Sequence, residues 1–175
     1  AFALRLFNKV TDMGSKVISP MSVSYLMGML ANGADGITQQ EILKAIGCEG
    51  VSVNDLNELY KAMLLNANHQ DKQTTVNIAN YIAVNKNFKL NKNFSQQVSD
   101  GYQAGIESLD FTSPKSTDRI NGWCKEKTNG MIPRIIDQVS ADAVSYLMNA
   151  IYFKGTWQNK FNAKDTKLEN FRGYT

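Results

Sequence analysis

The side chain best suited to moving a proton near neutral pH is a single imidazole, His69, two positions before Asp71. Any Ser-His-Asp or Cys-His arrangement would have to use it. It stands in His69-Gln70-Asp71-Lys72, which reads as a solvated polar turn rather than a cleft. Zinc needs three or four clustered nitrogen or sulfur donors, and one histidine with two distant cysteines, Cys48 and Cys124, does not supply them. No GxSxG elbow, GxxxxGK(S/T) phosphate loop or GxGxxG fingerprint occurs. Carboxylates are present, but no pair is singled out for acid–base work. The residues therefore argue against an enzyme, and no catalytic residue, metal ligand or cofactor is assigned.

The totals narrow the remaining classes. A chain of 175 residues suffices for one domain with a real core. With 43% hydrophobic and 20% charged residues, wholesale disorder is not expected. The net charge of +3 is small and dispersed, so no nucleic-acid partner is implied. Cys48 and Cys124 form no CxxC pair and read as free, mostly buried thiols, with a disulfide between them left open. Asn93-Phe94-Ser95 fits a glycosylation sequon, a triplet common by chance. The chain begins at Ala1, which fits a trimmed leader and says nothing about secretion. Residues 17–34 carry no charge, close to the length of a membrane span. Ser19, Pro20, Ser22, Ser24, Gly28, Asn32 and Gly33 within that stretch argue instead for a helix buried on nearly all sides.

The elements follow from spacing. Phe2, Leu6, Phe7 and Val10 recur as on an amphipathic helix. Val17-Ile18 reads as a short strand. Ser19 is an N-cap with Pro20 at the first helical position, and that helix ends near Asn32-Gly33. Thr38-Gln39-Gln40-Glu41 reads as a capping box opening a helix that Gly47 stops. Leu56, Leu59, Tyr60, Met63 and Ala67 form the next apolar stripe. Val76, Ile78, Ile82 and Val84 alternate as in a strand, with Asn80 on the same face. A helix is predicted over 94–102, a strand over 106–111 and a helix from Thr117 to about Thr128, ended by Asn129-Gly130. Residues 133–142 read as irregular, 145–153 as a long strand, and the chain from Trp157 as extended or looped. No repeat or linker appears, so the chain is one α+β unit.

The last strand poses a physical problem. Leu147, Asn149, Ile151 and Phe153 share one face, and Tyr146, Met148, Ala150 and Tyr152 the other. Both faces are mostly apolar, which fits a central strand of a covered sheet. A buried Asn149 amide there must find partners or cost about 1–3 kcal/mol. Its local reading stays open between a satisfied core asparagine and a member of a polar network tying the strand to what lies beneath.

Asn149-Ala150-Ile151-Tyr152-Phe153-Lys154-Gly155-Thr156-Trp157 resembles the NAxYFKGxW strand of the serpins. Phe161, Thr166 and Phe171 fit its F-x4-T-x4-F continuation. Ser19-Pro20-Met21-Ser22 with Leu26, then Gly33-Ala34-Asp35-Gly36-Ile37-Thr38 and Glu41-Ile42, is similar to that family's SPxS…L…GAxGxTxxEI. Ala79-Asn80, Lys86 and Phe88 match its second strand, and Leu109-Asp110-Phe111 another strand end. Ile120-Asn121, Trp123, Thr128, Gly130 and Ile132 match INxWVxxxTxGxI. The blocks stand in family order over nearly the whole chain. Departures are Cys124 for the usual valine, Gly105 for a glutamate, Met131 for a lysine and Ala83 for an aromatic; they touch local packing only.

The resemblance implies the N-terminal portion of a serpin fold, a large mixed central sheet with surrounding helices, as a single incomplete domain over 1–175. It implies inhibition of a serine or cysteine protease: the protease cuts a reactive loop, which then inserts into the sheet as a new strand. A non-inhibitory carrier, chaperone or structural role is the alternative. Ser19, Pro20, Ser22 and Asn149 match the "shutter" that holds the sheet closed over the helix beneath. Trp157 matches the "breach" where insertion begins. Ala150, Tyr152, Phe153, Lys154 and Gly155 belong to the signature strand. Asn121, Trp123, Thr128 and Gly130 belong to the helix that lies across the sheet. The reactive bond and a partner central strand are expected in a C-terminal remainder beyond this chain. The helix over 55–66 offers only Lys61, so no strong heparin site is expected there. An extracellular, cell-surface or periplasmic location is expected.

Overall fold

The computed structural model describes residues 1–10, 17–68 and 73–170. In chain order the elements are α1 (Phe2–Val10), α2 (Pro20–Asn32), α3 (Gly36–Ile46), α4 (Val53–Ala67), β1 (Thr74–Asn85), α5 (Lys92–Tyr102), β2 (Gly105–Leu109), α6 (Pro114–Lys127) and β3 (Ser145–Gly155), then a single 3-10 turn at Ala163–Asp165. The architecture is α+β, as the sequence implies. No helix among the described residues is long and apolar enough to cross a membrane.

Local chemistry sets most helix ends. Ser19 caps α2 by accepting from the Ser22 amide at 3.2 Å, with Pro20 next in line. α3 opens earlier than the capping-box reading. Asp35 caps it, taking the Gly36 amide at 2.7 Å, and Thr38 lies inside the helix. Gln39 instead donates to the Ala31 and Ala34 carbonyls at 3.0 and 2.9 Å, sealing the end of α2. Gly47 stops α3 in the left-handed region at φ 84°. α6 also opens earlier, at Ser113-Pro114. Thr117, the expected cap, accepts from the Val139 amide at 3.1 Å. Val17-Ile18 is not a strand: Val17 is fully exposed and no strand lies alongside it among the described residues. β2 stops at Leu109 rather than Phe111, because Asp110 turns the chain by accepting the Thr112 amide at 3.1 Å.

The sheet order is β2-β1-β3. β1 runs parallel to β2 from the pairing of Tyr81 with Gly105, and antiparallel to β3 with Asn80 opposite Asn149. Within this chain β3 is therefore an edge strand rather than a central one. Both faces of the sheet are covered. Ile78, Ile82, Val84, Leu147 and Ile151 meet the helices α2 to α5. Tyr81, Ala83, Met148 and Ala150 meet Ile120, Trp123 and Cys124 of α6, with Val139. Met21 and Leu30 of α2 stay exposed, so the expectation of burial on nearly all sides holds only for its sheet-facing flank. Leu59 is 53% exposed; the true stripe of α4 is Leu56, Tyr60 and Leu64.

Three tyrosine rings lock α2, α4 and α5 together. Tyr25 lies 4.9 Å from Tyr60 and 6.5 Å from Tyr102, and Tyr60 lies 5.6 Å from Tyr102. Burial pushes all three phenols up, Tyr25 to about 12, so they stay neutral. The cluster closes only because α2 carries Gly28. A Cβ there would come within 2.6 Å of both Tyr102 Oη and Tyr60 Cε2. Gly28→Ala is expected to lower stability by about 1–3 kcal/mol despite its better helix propensity. A urea midpoint equal to or above wild type would show that the rings yield.

Candidate functional site

The buried amide of β3 has a defined partner. Asn149 Nδ2 donates to Asn80 Oδ1 at 2.8 Å, and Asn80 Nδ2 donates to the Tyr102 carbonyl at 2.8 Å. This chain of bonds runs from β3 through β1 to the end of α5. It is placed by register, because Asn80 and Asn149 face each other across the ladder. Asn149 Oδ1 is buried and has no hydrogen-bond partner among the described residues.

The serines at the head of α2 form a second, separate group. Ser22 Oγ donates to Ser19 Oγ at 2.9 Å, while Pro20 sets the first helical turn. Among the described residues, no hydrogen bond joins this pair to Asn149. The structure therefore separates the four expected shutter residues: Ser19, Pro20 and Ser22 stand at the head of α2, and Asn149 is apart from them, bonded to Asn80.

On the opposite face, α6 holds both the sheet and the irregular segment after it. The Trp123 ring stacks on Tyr81 with centroids 5.0 Å apart. Cys124 is fully buried, and burial pushes its thiol up; Cys48 is half-buried, and both are free. Asn121 Oδ1 accepts from the Ile135 and Ile136 amides at 2.8 and 3.1 Å, and its Nδ2 donates to the Ile136 carbonyl at 2.9 Å. Thr128 is buried, donates to the Cys124 carbonyl at 2.8 Å and accepts from the Ile132 amide at 3.0 Å. Asn129 and Gly130, both at positive φ, turn the chain out of the helix. Residues 132–139 thus form a strap bound to α6 by side chains rather than by secondary structure.

The signature strand divides at its end. Ala150 is buried, and Tyr152 Oη accepts from Asn129 Nδ2 at 3.3 Å. Phe153 and Trp157 are 69% and 71% exposed, Lys154 and Gly155 are exposed, and the Trp157 ring meets Phe161, edge to face at 5.9 Å. Phe171 and His69 lie outside the described residues. The Asn85 amide bonds the Val144 carbonyl at 2.9 Å and the Thr156 amide bonds the Gln73 carbonyl at 3.0 Å, which fixes the parity of the ladder. By that parity Leu147, Asn149 and Ile151 turn their backbone groups away from β1, onto an open edge. No group of three or more histidine, cysteine or carboxylate side chains that could hold a metal is present among the described residues.

The sequence that builds this arrangement matches a known family. The serpin (serine protease inhibitor) family model fits residues 1–174. The chain belongs to the serpin family. It is 32% identical to Serine protease inhibitor 42Dd of Drosophila melanogaster over 96% of its own length and 46% of that relative. It therefore spans about half the length of the curated relatives it matches. Among solved structures it is similar to the thermophilic serpin tengpin in the latent state, with 33% identity and a TM-score of 0.87, covering 93% of this chain and 44% of that one. It is also similar to human thyroxine-binding globulin complexed with its hormone, at 25% identity and a TM-score of 0.85, covering 95% and 46%.

Asn80 is the hydrogen-bond partner that spacing alone does not pair with Asn149. The signal was present, since Asn80 shares a face with Ile78 and Ile82, but the partner lies on a strand remote in sequence. A double-mutant cycle of Asn80→Ala and Asn149→Ala is expected to give a coupling energy above about 0.5 kcal/mol. Additive effects on the unfolding midpoint would mean that the two amides act independently.

Proposed function

We propose that this chain is the N-terminal part of a serpin that traps serine or cysteine proteases by inserting a cleaved reactive loop beside β3. The observation that carries the reading is the open edge of β3, with the Asn149 acceptor orphaned behind it. In this reading a second central strand, from the remainder of the fold, closes that edge in the native protein. Its donor completes the Asn149 group, and the Ser19–Ser22 head of α2 supports the closed sheet from beneath. Trp157 lies where insertion starts. α6, with Asn121, Trp123, Thr128 and Gly130, must yield as the sheet widens. The reading needs no cofactor, nucleic acid or heparin on α4, and it is compatible with action outside the cell or at its surface.

Insertion adds a strand to an edge already formed, so it gains a full ladder of backbone bonds without refolding β1–β3. The energy stored before cleavage makes native stability a matter of rate rather than equilibrium.

The test uses the full-length protein against a panel of serine and cysteine proteases. A complex that survives denaturing electrophoresis, together with release of a short C-terminal peptide, is the expected result. It should not form with a protease whose nucleophile has been replaced. Cleavage of the protein as an ordinary substrate by every protease, with no complex, would overturn the reading. The likeness to thyroxine-binding globulin supports a second reading, a non-inhibitory carrier. That reading predicts uninhibited proteases and saturable binding of a hydrophobic small molecule.

A further inference from the structure

One carboxylate gathers side chains from α6 and both parallel strands. Glu107 stands in the middle of β2, opposite Ala83 of β1. The guanidinium of Arg119, on α6, grips it as a fork, with Nη2 2.8 Å from Oε2 and Nε donating to Oε1 at 3.2 Å. Tyr81 Oη, from β1, donates to the same Oε2 at 2.8 Å. Burial and then the Glu107 carboxylate push the Tyr81 phenol up, so it stays a donor. The Arg119 guanidinium also lies 5.9 Å from the centre of the Tyr81 ring, and that ring stacks on Trp123, one turn further along α6. Among the described residues the other ion pairs do not join α6 to the sheet. Lys86 with Asp110 ties the chain just past β1 to the chain just past β2, and Lys44 with Glu49, Lys127 with Glu126 and Arg134 with Asp137 are local.

We propose that Arg119 and Glu107 form a latch that holds α6 closed on the sheet and sets how fast the helix yields to an inserting strand; the second half of this rests on the trapping reading above. Much of the remaining contact is apolar, with Ile120, Trp123 and Cys124 of α6 against Tyr81, Ala83, Met148 and Ala150. Such packing is non-directional and is lost gradually as a helix slides. A fork on a carboxylate is directional and breaks early in any displacement. Its anchor stands on the side that stays in place. β2 pairs with β1 on the flank away from β3, so widening beyond β3 leaves Glu107 where it is. A bond made while α6 is closed and lost once it moves adds to the barrier between the two states. The Arg119 and Glu107 side chains are 47% and 37% exposed, so water and salt keep the hold modest and the latch slows the helix without locking it. Both are positioning residues, acting through α6 and on no reacting atom.

The experiment uses the full-length protein and two readouts. Hydrogen–deuterium exchange over α6 needs no protease, and the limiting rate of stable complex formation at saturating protease reports insertion. Arg119→Gln is expected to raise both by about two- to fivefold, the size set by a partly exposed ion pair. Arg119→Lys keeps the charge without the fork and should fall between that variant and the wild type. Lys125→Gln removes a charge from an exposed position of the same helix and should leave both readouts unchanged. Wild-type values in Arg119→Gln, with protease still trapped, would overturn the latch and keep the trapping reading. Faster exchange without faster trapping would also overturn the proposal, since α6 would then not set the rate. A protein that traps no protease, yet whose α6 loosens in Arg119→Gln, would overturn the trapping reading and keep the latch. If Arg119→Gln does not fold, Glu107→Gln, which keeps the shape and removes the charge, has to show the same two changes; wild-type values there overturn the proposal equally.

Discussion

The antiparallel ladder between β1 and β3 is the constraint on which everything else rests. It runs from Thr74 opposite Gly155 to Val84 opposite Ser145, and it ties the last third of the chain to the middle. Its register has to hold to the residue, because a slip of one would send Asn80 and Asn149 to the α6 face and bring Tyr81 and Ala150 into the helical core. The amide pair is what makes such a slip costly. An apolar pair at those positions could tolerate other pairings, whereas the bond from Asn149 Nδ2 to Asn80 Oδ1 forms only in one alignment.

From that ladder the two faces take different forms. The face toward α2, α4 and α5 is thick and interlocked, with the tyrosine cluster closed over Gly28 and a reciprocal amide pair, Asn32 with Asn57, at 2.9 and 2.8 Å. The face toward α6 rests on one helix and a strap held by Asn121, Thr117 and Thr128. A thick base and a thin cover suit the widening of the sheet that the proposed mechanism requires. In the proposed mechanism the base keeps β1 and β3 aligned while the cover shifts.

What was legible in the sequence was what is local or periodic. Ser19-Pro20 announced α2, Gly47 and Asn129-Gly130 announced ends, and alternation sorted the faces of β1 and β3 correctly. The misses share a physical cause. Ser113-Pro114 has the same grammar as Ser19-Pro20, yet the sequence reading starts this helix at Thr117-Asp118; the distant Val139 amide shows that Thr117 is occupied elsewhere. Leu59 fits a helical stripe as well as Leu64 does, and which of them is buried depends on where β1 lies. Val17-Ile18 is apolar enough for a strand but has no neighbour here to bond with. The strap was correctly read as irregular, but its order comes from side chain–backbone bonds that have no period to find.

The orphaned Asn149 acceptor and the open β3 edge have a common consequence. A buried amide oxygen is costly while it lacks a donor, so in the proposed mechanism the states of the sheet would differ in energy by whether a donor reaches Asn149 Oδ1. A neighbour that brings a backbone strand but no donor would pair the edge and leave the amide unsatisfied. One that brings both satisfies the edge and the core at once. In the proposed mechanism the polar residue in an apolar strand would select the neighbour that closes the sheet, a discrimination that hydrophobic packing alone does not provide.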